Sequence, residues 1–225
     1  METNLRVERN DAHAVLTLDR PTKKNALSTA LRDEISDALD DLAGDESVKA
    51  VVITGAGDTF SAGFDLSEFP RALEDEAYAR TLWASSDRYH HAVLRFPVPT
   101  IAAVNGAALA GGFDLAVCCD LRVAATTARF AHPEYTFGDV VYSPLADLVG
   151  GAIARELCLT GRAIDATEAL ALHLVNAVAE PAGLMDTVLE MVARIERAPR
   201  ANLVRTKAKA VARLGFGAER ATLDL

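Results

Sequence analysis

Val104-Asn-Gly-Ala-Ala-Leu-Ala-Gly-Gly-Phe-Asp-Leu115 is the stretch on which the reading of this chain turns. The apolar run 100–104 before it reads as a short strand, and a helix pattern follows it. The small residues between them leave backbone N–H groups uncovered at the helix start. Upstream, Gly55-Ala-Gly-Asp-Thr-Phe-Ser-Ala-Gly-Phe-Asp-Leu66 ends in nearly the same words, after the similar run 50–54. Two such turns on one chain can aim two N–H donors at a single oxygen. That geometry stabilises an enolate or oxyanion.

Outward from these turns the pattern alternates. Residues 5–8 and 14–18 read as strands joined by the polar turn Arg9-Asn-Asp-Ala-His13. Ser28 is placed to cap a helix with an apolar stripe of Leu31, Ile35, Leu39 and Leu42, ended by Gly44. A charged helical stretch covers residues 71–94 and is broken by Phe96-Pro-Val-Pro99. Residues 120–124 read as a strand and 131–144 as a loop rich in Pro, aromatic and acidic residues. Helices near 146–160 and 166–172, a strand at 174–178, and helices over 181–197 and 200–214 complete the chain. Strands alternating with helices argue α/β layers.

Composition narrows the function. The 225 residues are half hydrophobic and carry 23 basic against 32 acidic side chains, a net charge of −9. Neither nucleic acid nor an anionic membrane suits such a surface. The basic run from Arg194 to Arg213 reads as a solvated helix face. Cys118, Cys119 and Cys158 have no metal-ligand spacing and read as buried thiols in a reducing compartment, with no metal site. The start, Met-Glu-Thr-Asn-Leu-Arg-Val-Glu, carries no apolar signal region, and the expectation is a cytoplasmic protein.

Several chemistries lack their signatures. Gly55-x-Gly57 is without the third glycine of a dinucleotide fingerprint, and no Gly-x-Ser-x-Gly elbow seats a hydrolase serine. His90 and His91 are adjacent, point to different helix faces, and read as surface or packing residues. The carboxylates say more. Asp114 falls in the first turn of the helix opened by the second glycine pair, where it serves either the helix dipole or catalysis. Glu134, in His132-Pro-Glu-Tyr135, is either a buried base or a solvated loop residue. Asp139 is a third candidate, read as structural.

Together these pieces resemble the crotonase (enoyl-CoA hydratase/isomerase) superfamily. The resemblance rests on Arg20-Pro-x-x-x-Asn-Ala-Leu27, Phe60-Ser-Ala-Gly-Phe-Asp-Leu66 and Ala103-Val-Asn-Gly-x-x-x-x-Gly-Gly-x-Asp-Leu115. Cys119-Asp-Leu-Arg-Val-Ala124, Pro133-Glu134, Leu159-Thr-Gly-Arg162 and Ala166-x-Glu-Ala169 extend it in the same order. It implies an α/β fold, a crotonase-like spiral of ββα units over residues 1–180, with a helical C-terminal region over 181–225 that is shorter than usual. It also implies an acyl-CoA substrate, no separate cofactor, and a homotrimer or dimer of trimers.

Residue by residue, the backbone N–H groups of Phe64 and Gly111 become the oxyanion hole, both at helix starts. Ala26, Ala62, Gly63, Asp65 and Leu66 line the CoA path, and Lys23 and Lys24 meet its phosphates. Glu134 and Asp114 take the places of two family glutamates twenty residues apart, Asp114 being shorter by a methylene. The usual glycine-rich stretch after Glu134 is replaced by Asp139-Val-Val-Tyr-Ser-Pro144. The leading expectation is hydration of a 2-enoyl-CoA in fatty acid metabolism. Alternatives are an enoyl- or dienoyl-CoA isomerase using Glu134 as base, a thioester hydrolase or decarboxylase, and a catalytically silent acyl-CoA binder.

Overall fold

The computed structural model describes residues 4–213 and residue 221. An antiparallel pair, β1 (Leu5–Arg9) and β2 (His13–Leu18), leads into helix α1 (Thr29–Ala43). Three strand pairs follow, and each sends its first strand to one sheet and its second to another. They are β3 (Ala50–Gly55) with β4 (Thr59–Ser61), β5 (Thr100–Val104) with β6 (Ala107–Leu109), and β7 (Leu121–Ala125) with β8 (Arg129–Ala131). Helices α2 (Phe69–Glu74) and α3 (Glu76–Leu94) separate the first two pairs, and α4 (Gly111–Cys118) the last two. After β8 come α5 (Ser143–Val149), α6 (Gly151–Thr160), β9 (Ile164–Asp165), α7 (Ala166–Ala171), β10 (Ala177–Ala179), α8 (Leu184–Glu196) and α9 (Arg200–Arg213).

The larger sheet runs β1-β2-β3-β5-β7-β10, and the smaller runs β4-β6-β8-β9. Each ββα unit thus climbs one turn of a spiral between the two sheets, as the resemblance implies. The larger sheet is covered on both faces, which is why its parallel strands are apolar throughout instead of alternating. Val51, Ile53, Ala102 and Val104 face the main core under α1, α3 and α4. Ala50, Val52, Ile101 and Ala103 face the other way, against Leu184, Val188 and Val192 of α8.

Local chemistry explains where elements start and stop. Ser28 Oγ accepts from Leu31 N at 3.3 Å, and the expected stripe of Leu31, Ile35, Leu39 and Leu42 is buried. Burying each such side chain is worth about 1.5–3 kcal/mol. The charged stretch expected over 71–94 is two helices. Asp75 is extended there, and its carboxylate caps Tyr78 N at 3.0 Å. The expected strand at 174–178 is displaced to β10. Leu174 and Val175 are buried in a turn instead, and pairing with β7 begins at Ala177.

Arg122, buried in β7, holds that turn. It donates to the carbonyls of Leu174 and Cys119 at 2.6 Å, and of Ala116 and Asp120 at 3.2 Å. The three cysteines are buried free thiols, as expected. The basic run is largely exposed, but Lys207 is buried and pairs with Asp120 at 2.6 Å. Among the described residues no helix is long and apolar enough to cross a membrane. The last residue of the helix expected over 200–214 lies outside the described residues.

Candidate active site

The two glycine turns meet. Gly63 has φ +88°, and a Cβ there would lie 2.7 Å from Ala110 Cβ and 3.0 Å from Gly111 N. Only glycine allows the first turn to lie this close to the start of α4. A Cβ on Gly111 would in turn lie 3.6 Å from Phe64 N. The N–H groups of Phe64 and Gly111 are therefore neighbours across the junction of the turns.

The two donors are not equivalent. Gly111 opens the eight-residue helix α4, so the helix dipole adds to its N–H. Phe64 precedes a three-residue 3-10 turn, Leu66–Glu68, and is bridged to Leu27. The expectation that both sit at helix starts is corrected here, because only Gly111 has a full helix behind it. Ala110, just before it, is held at φ +51° and ψ −132°. Its N–H donates to Ala131 O at 2.9 Å, and its carbonyl accepts from Phe113 N and Asp114 N. Such a backbone costs of order 1–3 kcal/mol in a residue with a side chain. From α3, the Tyr89 hydroxyl donates to Gly111 O at 3.2 Å.

Asp114 and Glu134 converge, as the resemblance implies. Asp114 lies one turn into α4, and Glu134 lies in a short turn, Pro133–Thr136, after β8. Both are buried. Parallel pairing of β6 with β8, Leu109 opposite Ala131, sets these two segments side by side. Between them stands His132, fully buried and stacked on Phe113 at 4.6 Å. Its Nδ1 is 3.0 Å from Glu134 Oε1 and 3.7 Å from Asp114 Oδ1. Asp114 Oδ1, Glu134 Oε2 and His132 Nε2 have no hydrogen-bond partner.

Burial pushes the Asp114 carboxyl up to about 7, with the Glu134 charge adding to it and His132 opposing. For His132, burial works against the charged form. The hydrogen bond to Glu134 and the charge of Asp114 outweigh it and raise the imidazole above its ordinary value. Among the described residues, Asp114, His132 and Glu134 also have ligand atoms within 4.8 Å of one another. A divalent cation held there would remove both carboxylates from proton chemistry.

The Asp114 shift has a consequence for stability. A carboxyl raised in the folded state favours folding at low pH, and that contribution is lost as pH rises from the unfolded value through about 7. Asp114→Asn abolishes this loss. Its melting temperature relative to wild type is expected to rise by a few degrees between about pH 5 and about pH 8. Thermal melts at the two pH values check it; an unchanged difference means that Asp114 does not carry the titration.

A cavity of about 410 Å³ opens in front of these groups. Phe64, Gly111, Asp114 and Glu134 line it, together with Leu66, Phe69, Trp83, His90, Phe137 and Asp139 among others. Its size and mostly apolar lining suit a small acyl group. Asp139 is exposed at this wall, away from the Asp114–His132–Glu134 cluster.

The loop of Lys23, Lys24 and Ala26 lies against the first glycine turn. Ala62 N donates to Lys24 O at 2.9 Å, and Ser61 Oγ to Asn25 O at 2.9 Å. Buried Asn25 ties the loop down, accepting from Arg20 N and donating to Ala56 O and Thr59 O. Lys23 and Lys24 are exposed. Asp65 is already engaged, accepting from Arg20 Nη2 at 2.9 Å and from the Ser67 backbone and hydroxyl. Sequence reasoning did not single out His132, Tyr89 or Asn25. The Asn25 signal was present, inside the quoted Arg20–Leu27 motif; the other two need tertiary contacts.

A family model described as enoyl-CoA hydratase/isomerase matches residues 8–224. The short-chain-enoyl-CoA hydratase of Clostridium acetobutylicum is 36% identical over 197 residues, covering 85% of this chain and 75% of that protein. A 4-chlorobenzoyl coenzyme A dehalogenase of Arthrobacter is 37% identical over 204 residues, covering 87% and 73%. The crystal structure of an enoyl-CoA hydratase from Mycobacterium smegmatis superposes with a TM-score of 0.87 at 37% identity, covering 99% of this chain and 88% of that one.

Proposed function

The chain belongs to the enoyl-CoA hydratase/isomerase family, and from that premise we propose that it adds water across the double bond of a 2-enoyl-CoA. One observation carries the reading: two buried carboxylates flank one imidazole in the same cavity as the paired N–H groups of Phe64 and Gly111. The thioester oxygen sits between those N–H groups, and negative charge moves onto it as water attacks the β-carbon. Each such donor is typically worth about 3 kcal/mol in the transition state.

The water is held between Asp114 and Glu134. Its proton passes to a carboxylate as the C–O bond forms, and Glu134 serves the proton that arrives at the α-carbon. As that proton arrives the enolate re-forms the thioester C=O, so one O–H bond and the C=C π bond break while one C–O and one C–H bond form. His132 orients Glu134 through its 3.0 Å contact. Asp114, at about 7, is poised to exchange a proton near neutrality.

CoA lies along the first glycine turn, past Ala62, Gly63 and Leu66, with Ala26 beside them and Lys23 and Lys24 toward its phosphates. Asp65 shapes this path through Arg20. The test is loss of enoyl-thioester absorbance with crotonyl- to decenoyl-CoA; no loss with any of them overturns the reading. A second reading is double-bond isomerisation with Glu134 as sole base. It is favoured by Asp114 Oδ1 having no partner while Glu134 is held by His132. Isomerase turnover retained in Asp114→Ala and abolished in Glu134→Gln decides for it.

A further inference from the structure

The acyl cavity contains a buried polar ring that hydration leaves unused. His90, on α3, is 1% exposed and lines the cavity with Phe64, Phe69 and Trp83. Its ring centroid lies 4.0 Å from that of Tyr89 and 6.4 Å from that of Phe64. The Ser86 main chain one turn back faces the ring, yet neither ring nitrogen reaches a hydrogen bond of ordinary geometry. Ser86 Oγ, on the same helix face, is likewise buried without a partner.

Leaving a buried donor or acceptor unpaired is destabilising, a cost that an apolar side chain in this wall would not incur. Burial above all, then the charges of Arg32 and His91, push His90 down to about 3. The ring is therefore neutral at physiological pH, with one N–H donor and one acceptor nitrogen. Arg32 adds no donor to the cavity. Its guanidinium, 4.3 Å from the Phe64 ring centroid, donates to oxygens of Leu27, Thr29, Leu82 and Ser85.

We propose that His90 is the recognition group of an acyl subsite for a hydroxyl carried on the acyl chain of the CoA thioester, beyond the reacting carbons. A hydroxyl can either donate to the acceptor nitrogen or accept from the N–H, so it finds a partner whichever ring nitrogen faces the cavity. A carboxylate only accepts, and would bring an unpaired charge into an apolar wall. The inference rests on the acyl-CoA reading, and it adds a substrate class to it.

Calorimetry with saturated thioesters, which cannot be hydrated, separates the two. Hexanoyl-CoA and its 4-, 5- and 6-hydroxy derivatives are titrated into wild type, His90→Phe and His90→Gln. Wild type is expected to bind one hydroxy isomer ~10-fold tighter than hexanoyl-CoA, in line with a site built to hydrogen-bond a ligand hydroxyl. His90→Phe loses or reverses that ratio, and His90→Gln restores part of it. Hexanoyl-CoA binding with no preference for any isomer, as when a trapped water already satisfies His90, overturns the subsite alone. So does a preference that survives in His90→Phe. Failure of every thioester to bind wild type overturns the acyl-CoA reading as well.

Discussion

Glu134→Gln lowers turnover of a 2-enoyl-CoA ~10³-fold, within the range that a positioned acid–base group supplies. The substitution keeps the size of the side chain and an oxygen for His132 Nδ1, which now lies 3.0 Å from the carboxylate. It removes the ability to take and return a proton. Loss of turnover with unchanged binding of a saturated thioester therefore isolates chemistry from packing. Stopped-flow absorbance of the enoyl-thioester, beside calorimetry, measures both. A fall of less than tenfold means that Glu134 is not the acid–base group, and the role passes to Asp114. The family relationship alone leaves that choice open, because its members include a dehalogenase of chlorobenzoyl-CoA as well as hydratases.

Gly111→Ala is the second large effect. A Cβ there would stand 2.7 and 2.8 Å from Phe64 Cδ1 and Cε1, closer than any carbon pair tolerates, so the ring must swing away. The ring cannot move alone. Trp83, Tyr89 and His90 surround it, and Arg32 lies against its face. The new methyl also stands 3.6 Å from Phe64 N, in front of the proposed oxyanion donors. Disturbing one oxyanion donor costs ~10²–10³ in kcat, and that is the fall expected here. Gly183→Ala is the control, since its Cβ would meet no atom within 4 Å and it lies far from the cavity in sequence and structure. Steady-state kinetics on both variants, with melts to verify folding, check it. Near wild-type kcat in Gly111→Ala would remove the paired N–H groups from the mechanism.

How much of this was legible in the sequence depends on the range of each signal. Ser28 caps α1 with its side chain and Gly44 follows its last turn, as expected, because capping is decided within three or four residues. The apolar runs of β3 and β5 were equally plain. The smaller sheet was not. Its strands β4, β6 and β8 are three residues each, too short to display an alternation, and they exist because neighbouring turns of the spiral pair them.

The site follows the same division. Gly111, Asp114 and Glu134 stood out because glycine pairs and acids in apolar surroundings are locally unusual. His132 did not, since its meaning depends on the Leu109–Ala131 register that brings Asp114 to it. The two adjacent histidines were rightly sent to different faces, His90 buried and His91 partly buried. No pattern along α3 reveals that a cavity opens beside the first of them. Asp65, set on the CoA path by the family resemblance, makes its observed contacts with Arg20 and Ser67, partners that only the fold brings into view.

The contacts of Arg122 bear on the far end of α4. An eight-residue helix is only about 12 Å long, so its negative end would stand only that far beyond the thioester oxygen of the proposed substrate. At that distance the negative pole would offset roughly a fifth of what the positive pole, ~3 Å from the oxygen, supplies. Arg122 places a permanent cation on the Ala116 and Cys119 carbonyls and so grounds the negative pole. What reaches the oxygen is then closer to the field of a single positive charge than to that of a short dipole. The helix works as an electrode with its return lead shorted inside the protein.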